Sequence, residues 1–242
     1  MDQDARASLR RQAPGQSATQ EHLPMKSRVS MIIAAVLLGA VPALAMAAVT
    51  PIADARAGSG SVFTLRGTVT VAAGAFASST FDQGFGLQDG TGGIYVTMPV
   101  NAGLGTGRQV RVSGTVGDDG YGLTVFRVAA VSDVRPALAQ VDTAPRLVGT
   151  GEVGEATEGL LITVSGTVTR GPTDDMPYGY SVFIDDGSGE TQVFMPASTG
   201  VNPFRIPFLK VGVGIRVTGF CGQYQSQYEV LPRVRADIEK LP

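Results

Sequence analysis

The stretch Gly67-Thr68-Val69-Thr70 returns 99 residues later as Gly166-Thr167-Val168-Thr169 and defines a repeat that organises most of the chain. Two further segments return in the same order: Asp89-Gly90-Thr91-Gly92 as Asp186-Gly187-Ser188-Gly189, and Val112-Ser113-Gly114 as Val217-Thr218-Gly219. The offset changes to 97 and then to 105 residues between these segments, so insertions and deletions fall only in the intervening loops. This distribution is typical of a duplicated domain.

Each copy carries the pattern of five short strands. Apolar and polar residues alternate through residues 63–70 and 162–169, which predicts a half-buried first strand in each copy. Asp89-Gly90 and Asp186-Gly187 predict hairpins between the second and third strands, because such turns need residues that accept a positive φ. The fourth strands are predicted at residues 110–116 and 215–221, and the fifth at residues 123–131 and 228–234. Neither copy contains a convincing helical pattern.

The strand pattern points to one type of barrel. Glycines within the first and fourth strands suit the sharp bends of a small closed barrel. Five short strands with a long connection after the third fit the OB fold. The sequence therefore predicts an all-β protein with two tandem five-stranded OB-type β-barrels, residues 58–135 and 158–238. Residues 136–157, rich in Ala, Pro, Gly and Glu, are predicted to be a linker.

The N-terminal region has the three parts of a secretory signal peptide. A basic stretch at residues 25–28 is followed by an apolar run at residues 29–44 and by the small-residue site Ala45-Met46-Ala47. We interpret residues 25–47 as a signal peptide that is cleaved after Ala47, with an uncleaved anchor as the alternative. Residues 1–24 are a polar extension, and either Met1 or Met25 is the true start. The sequence thus predicts a periplasmic or secreted protein with no membrane attachment after cleavage.

Composition excludes most common catalytic chemistry from the processed chain. The only histidine, His22, precedes the cleavage site, so neither a Ser-His-Asp nor a Cys-His arrangement can form. After residue 47 the chain keeps 14 basic and 18 acidic residues, a net charge of about −4. We predict that it is not an enzyme, has no catalytic or metal-binding residues and needs no cofactor. Cys221, the only cysteine, is predicted to be a buried small hydrophobic residue on the inward face of the fourth strand.

Paired acidic residues invite a calcium interpretation that the spacing does not support. The pairs are Asp118-Asp119, Asp174-Asp175 and Asp185-Asp186. None lies in a loop with acidic residues at alternate positions and a closing glutamate, which is the pattern of a common Ca²⁺-binding loop. We predict that these side chains stabilise turns.

Three segments of the second copy carry a resemblance to a known group. Residues 158–168, 183–189 and 217–219 resemble the OB-fold modules that accompany secreted bacterial nucleases, and they are similar to exported nucleic-acid-binding proteins. The resemblance covers residues 60–235, and its motifs are turn and strand signatures. The nucleases' catalytic domains carry histidine and clustered acidic metal ligands, which nothing in this sequence matches. The resemblance therefore implies a binding module for DNA without the cutting domain.

The ligand face of an OB barrel is formed by strands two and three together with the flanking loops. Aromatic residues that point outward there can stack on bases, and nearby arginines can meet phosphates. An alternative for Phe183 and Phe194 is burial under the loop at residues 197–212, and a second alternative is a protein interface. The predicted ligand-binding residues are Tyr95, Arg111, Tyr121, Tyr178, Tyr180, Phe183, Phe194, Arg216 and Tyr224.

Two functions are consistent with these features. The first is weak binding of single-stranded nucleic acid, with DNA as the expected ligand, by an exported, non-catalytic protein. The second is a protein- or glycan-binding accessory module at the cell surface. The acidic charge balance favours the second function, because tight binding to phosphates usually requires a basic stripe.

Overall fold

A computed structural model describes residues 48–58 and 60–242 of the chain. The predicted extension at residues 1–24 and the predicted signal peptide at residues 25–47 lie outside this part. The described residues form mainly β-strands, with the short helices α1 (Ile52–Arg56) and α2 (Ala77–Thr80), which the sequence pattern did not predict. Within the described residues, neither helix has the length and apolar character needed to cross a bilayer.

The first copy closes into a five-stranded barrel. The five strands of the ring are β1 (Val62–Val71), β2 (Phe85–Gln88), β3 (Gly93–Thr97), β4 (Arg108–Asp118) and β5 (Thr124–Arg127). A sixth strand, β6 (Val134–Gln140), pairs with β4 outside the ring. The ring strands pair in the order β1-β2-β3-β5-β4, and β4 pairs again with β1 to complete the ring. β3 and β5 run parallel, while the other pairs in the ring are antiparallel. The predictions of an all-β chain and of a closed five-stranded barrel in this copy are confirmed.

The second copy repeats this order of pairings. Its strands are β7 (Arg146–Leu147), β8 (Leu161–Asp175), β9 (Gly179–Asp185), β10 (Thr191–Pro196), β11 (Gly214–Tyr224), β12 (Gln227–Leu231) and β13 (Ile238–Lys240). The sheet runs β8-β9-β10-β12-β11, with a further pairing between β11 and β8. The parallel pair β10–β12 corresponds to β3–β5 of the first copy. The duplication that the sequence indicates is therefore also a duplication of strand order.

The segment before the first strand is duplicated as well. In the first copy the Asp89 carboxylate accepts a hydrogen bond from the backbone N–H of Ile52, at 2.9 Å. In the second copy the matching Asp186 accepts one from the N–H of Thr150, at 3.1 Å.

The predicted linker contains strand residues that belong to the two sheets, because β6 pairs with β4 and β7 pairs with β8. The sequence did not predict β6, because its residues are mostly exposed and include Pro136, so apolar and polar residues do not alternate along it.

Each copy has its own apolar core. Leu65, Val112 and Phe126 are fully buried in the first. In the second, Ile206 and Leu209 show that the loop at residues 197–212 packs into the core of its own copy. Cys221 is buried in the same core, where desolvation raises the pKa of its thiol to about 12. The prediction that Cys221 is a buried core residue is confirmed.

A third apolar core joins the two copies. The first copy contributes Val71, Phe76, Tyr95, Leu123 and Val125, and the second contributes Phe194, Phe220 and Leu231. The ring of Phe220 contacts the rings of Tyr95 and Phe76, with centroids 5.9 and 6.1 Å apart. Burial of these side chains ties the two copies into one unit, because each aromatic ring removes a large apolar area from water.

Polar contacts at one edge fix the orientation of the two copies. Arg56 donates to Glu158 at 2.9 Å, and the side chain of Glu158 is completely buried. Glu158 also accepts a hydrogen bond from the backbone N–H of Thr124, at 3.1 Å. Beside this pair the backbones of Gly93 and Gly159 approach so closely that a Cβ built on Gly93 would lie 2.0 Å from the Gly159 carbonyl oxygen. These positions accept only glycine unless the two copies move apart.

Candidate functional site: a cleft between the two copies

A cleft of about 460 Å³ opens beside the shared core. Its lining comes from both copies, and it falls within the roughly 300–1,000 Å³ typical of small-molecule sites. In the first copy the contributors are β3, the connection between β1 and β2, and the turn between β4 and β5. In the second they are the end of β8, the turn that joins β8 to β9, and the strands β10, β11 and β12. The outer faces predicted to bind ligand therefore meet each other at this cleft.

Aromatic rings line the cleft in two layers. The floor consists of the buried rings of Phe76, Tyr95, Phe194 and Phe220. At the rim, Tyr121 of the first copy stacks on Tyr224 of the second, with centroids 5.4 Å apart and the planes inclined by 23°.

A second aromatic pair belongs to the same rim. Phe81 of the first copy meets Tyr178 of the second edge to face, with centroids 5.9 Å apart. All four rim rings are about half exposed or more, and each rim pair spans the boundary between the copies. The rim therefore offers aromatic faces and edges that solvent reaches.

Two loops at the rim hold strained backbone. Phe81 and Gln225 are the non-glycine residues with positive φ in the described chain, and φ is 56° at both. Such a conformation is uncommon for residues with a side chain and recurs at ligand sites. The backbone N–H of Gln225 donates to the carbonyl oxygen of Tyr121, which links the two turns that carry the stacked tyrosines.

The polar side chains that line the cleft include carboxyl and amide groups. The carboxyl groups belong to Glu229, Asp119 and Asp175, and the amides to Gln192, Gln223 and Gln227. Desolvation, and then the charge of Asp175, raise the pKa of Glu229 to about 8. Burial also raises the pKa of Asp119, although its carboxylate accepts hydrogen bonds from the backbone N–H groups of Tyr121 and Leu123. Among the described residues, no Lys, Arg or His lines this cleft.

Tyr95 anchors the connection between β1 and β2. Its hydroxyl donates to Asp82 at 3.1 Å and lies 3.2 Å from the hydroxyl of Thr80. Asp82 also accepts from the backbone N–H of Gly84, at 2.7 Å. Burial raises the pKa of Tyr95 and that of Asp82, so the phenol stays protonated as a donor. This network places α2 and Phe81 at the edge of the cleft.

Five of the nine predicted ligand-binding residues line the cleft: Tyr95, Tyr121, Tyr178, Phe194 and Tyr224. Tyr95 and Phe194 point away from the core of their own copy, as alternation predicts, but they are only 0% and 7% exposed. The opposite copy covers both rings. Phe194 is thus covered by the first barrel, not by the loop at residues 197–212 that the sequence offered as the alternative.

The other four predicted residues lie outside the cleft. Phe183 is half-buried beneath the Arg170 guanidinium, which lies 3.4 Å from the ring centroid. Tyr180 packs against the second core and meets Phe204 edge to face. Arg111 and Arg216 lie in β4 and β11, on positions that alternate with core residues. Neither arginine is among the described residues that line the cleft.

Sequence reasoning missed Glu229 and interpreted Asp119 and Asp175 only as turn residues, although all three line the cleft. Glu229 lies between Tyr228 and the core residue Val230, so alternation places its side chain on the outer face of β12. An acidic residue between apolar neighbours was the one signal that could have identified it. The acidic pairs singled out in the sequence do stabilise turns, as predicted: Asp118 and Asp174 each accept from an N–H group two residues ahead.

A row of arginines crosses the outside of the first barrel. Arg66 of β1 pairs in register with Arg111 of β4, which pairs in register with Arg135 of β6. Residues directly opposite each other in a sheet point to the same side, so three like charges are adjacent. The matching positions of the second copy are Ser165, Arg216 and Glu239, where the outer two residues are not basic. The first copy alone therefore carries this basic row.

Comparisons with known proteins give only remote likeness. No protein-family model matches the chain, and no curated protein sequence matches it. Among solved structures, it is similar to a murine DNA-binding protein bound with double-stranded DNA, at 14% identity and a TM-score of 0.40, over 74% of this chain and 96% of that one. It is also similar to the tetrameric p202 HIN2, at 15% identity and a TM-score of 0.38, over 76% and 96%.

A third similar structure is the p204 HINb domain, at 11% identity and a TM-score of 0.35, over 76% of this chain and 98% of that one. Likeness at this level carries neither a ligand nor an activity from those proteins to this chain. None of the three is described as a nuclease, so the resemblance to modules of secreted nucleases stays a prediction.

Proposed function

We propose that the protein is an exported, non-catalytic binding protein that holds a small organic group in the cleft between two OB-type barrels. One observation carries this proposal: both copies contribute half-exposed aromatic rings to a single cleft with a buried apolar floor. Sites for small ligands combine apolar and aromatic walls with a few placed polar groups, and the cleft has this composition. Export rests on the signal-peptide pattern at residues 25–47.

The packing of the two copies limits the shape of the ligand. Tyr95 of β3 and Phe194 of β10 are covered, so an extended chain cannot lie across these faces as it does on an isolated OB barrel. A ligand instead enters between the rim pairs and places a ring or a narrow side chain against the floor. The acidic lining disfavours a phosphate group in this position, because no basic side chain of the described residues lines it.

Replacing Tyr224 with alanine tests the aromatic rim. We expect Tyr224→Ala to weaken binding of benzyl alcohol, a neutral aromatic probe, roughly tenfold, because one stacking face is lost. Stability should change by less than about 1 kcal/mol, since Tyr224 is 52% exposed. Amide chemical shifts followed during titration of the purified protein give both the affinity and the location of binding.

The matched control is Phe204→Ala. Phe204 is a comparably exposed ring, at 59%, that lies outside the cleft, and its removal should leave benzyl alcohol binding unchanged. Shift changes that avoid the residues of the cleft, or equal affinities for wild type and Tyr224→Ala, would contradict the proposal.

A second candidate function is supported by the arginine row of the first barrel. Arg66 and Arg135 are exposed and form none of the salt bridges found among the described residues. A single-stranded nucleic acid could run its phosphates along this row, outside the cleft. Binding of this kind releases counterions and therefore weakens with salt.

The test is fluorescence-polarisation binding of labelled single-stranded DNA over a salt series. We expect Arg66→Gln and Arg135→Gln each to reduce the slope of log affinity against log salt by about 0.7. Arg216→Gln is the control, because this arginine pairs in register with Glu239 in the second copy. An unchanged slope in both row variants, or no binding at low salt, would remove nucleic acid as a ligand of this surface.

A further inference from the structure

One carboxyl group in the cleft has no partner within the described protein. Glu229 is 8% exposed and lines the cleft, yet its side chain forms no hydrogen bond or salt bridge with any described residue. Buried carboxyl groups are normally paired, because an unsatisfied polar group away from water is costly. Because Glu229 lines the cleft, water or a ligand that enters the cleft can reach its carboxyl group and supply the missing partner.

The neighbouring side chain does not satisfy this carboxyl group. Gln192 lies directly beside Glu229 across the parallel pair β10–β12. Its amide nitrogen, however, donates to the hydroxyl of Ser181 at 3.0 Å. The Gln192 amide nitrogen is therefore directed toward β9. It does not donate to the Glu229 carboxyl group, which faces the cleft.

The surroundings of Glu229 are acidic and aromatic. Asp175 and Asp119 line the same cleft, and the charge of Asp175 raises the pKa of Glu229 beyond the effect of burial. A positive charge placed here would offset this repulsion and draw Glu229 into its ionised form. The rings of Phe194, Phe220 and Tyr224 add aromatic faces and edges, and aromatic faces attract cations.

We infer that the cleft selects an organic cation, an ammonium or guanidinium group on an apolar or aromatic carrier, and that Glu229 is the residue that contacts its charge. This inference rests on the proposed function of the cleft as a ligand site. The ammonium donates to the Glu229 carboxylate at the floor, while the carrier lies between the rim rings. Two sources offer this chemistry: a free amine, or a lysine or arginine side chain of a peptide.

Three probes of similar shape and different charge test the inference. They are benzylammonium, benzyl alcohol and benzoate, each titrated into the purified protein with amide chemical shifts as the readout. We expect benzylammonium to bind roughly tenfold more tightly than benzyl alcohol, since a hydrogen bond to a charged partner is the stronger kind. Benzoate should bind most weakly of the three.

The variant Glu229→Gln keeps the shape of the side chain and removes the carboxyl group that can ionise beside a cation. We expect it to remove the roughly tenfold advantage of benzylammonium and to leave benzyl alcohol binding within about twofold of wild type. Asp175→Asn provides a second variant and should reduce the advantage in part. Nα-acetyl-lysine N-methylamide separates the two sources: affinity equal to benzylammonium indicates a peptide side chain, and weaker binding indicates a free amine.

The outcomes separate this inference from the proposed function. If benzyl alcohol binds in the cleft but benzylammonium binds no better, or if Glu229→Gln leaves the preference intact, cation selection is wrong and the ligand site stands. The tightest binding by benzoate would also overturn cation selection. If none of the probes shifts residues of the cleft, the inference and the proposed function both fail.

Discussion

Replacing Gly93 with alanine is expected to lower the free energy of unfolding by about 3 kcal/mol, which is large for the addition of one methyl group. The added Cβ would lie 2.0 Å from the carbonyl oxygen of Gly159, a backbone atom that cannot rotate away. The two copies would have to separate at this edge, with loss of packing in the shared core. Denaturant unfolding monitored by far-ultraviolet circular dichroism gives the free energy directly.

Gly105→Ala is the matched control for this substitution. Gly105 is exposed, and a Cβ built there would meet nothing within 4 Å, so its replacement should change stability by less than about 0.5 kcal/mol. If Gly93→Ala and Gly105→Ala unfold at the same denaturant concentration, the two copies do not pack as described.

The second large effect concerns the buried ion pair between the copies. We expect Arg56→Met to destabilise the protein by about 3 kcal/mol at neutral pH, because it leaves the carboxylate of Glu158 buried without its partner. That side chain is completely buried, whereas the Arg56 side chain is 15% exposed. The double variant Arg56→Met/Glu158→Leu should recover most of the loss, since no uncompensated charge remains.

The loss in Arg56→Met should depend on pH. Burial already raises the pKa of Glu158 above its ordinary value of 4.5, and Arg56 opposes this rise. Without Arg56 the pKa in the folded state rises further, so the folded state holds the proton more tightly than the unfolded state does. The variant is therefore closest to wild type near pH 4.5 and loses stability as pH rises through the folded-state pKa of Glu158.

Thermal unfolding over a pH series measures this dependence. An exposed pair provides the contrast: Arg170 pairs with Glu190 and is 57% exposed, so Arg170→Met should cost less than about 1 kcal/mol. A loss in Arg56→Met that stays constant with pH, or a double variant no more stable than the single one, would contradict the role assigned to the pair.

The strands and the duplication could be predicted from the sequence because both depend on local patterns. Alternation placed the first strand of each copy, and Asp89 and Asp186 marked the hairpins that the structure contains. Alternation also separated the outward residues from the core residues correctly. Tyr95, for example, lies between the core residues Ile94 and Val96.

The packing of one copy on the other could not be predicted in this way. A strand pattern shows which side chains leave a barrel, but it does not show what covers them. For Phe194 the sequence left open a ligand face, burial under the loop at residues 197–212 and a protein interface, but it did not indicate packing in the core that the two copies share. The pair Gly93 and Gly159 gave no signal either, because a close approach of two backbones links positions far apart in sequence.

The proposed function places the ligand in the cleft between the two copies. The most direct measurement is a crystal structure of the protein soaked with a mixed panel of small aromatic alcohols and amines. We expect bound molecules between the Tyr121–Tyr224 pair and the Phe81–Tyr178 pair, with amines directed at Glu229. An empty cleft, with the same panel bound only elsewhere on the described surface, would contradict the proposed function.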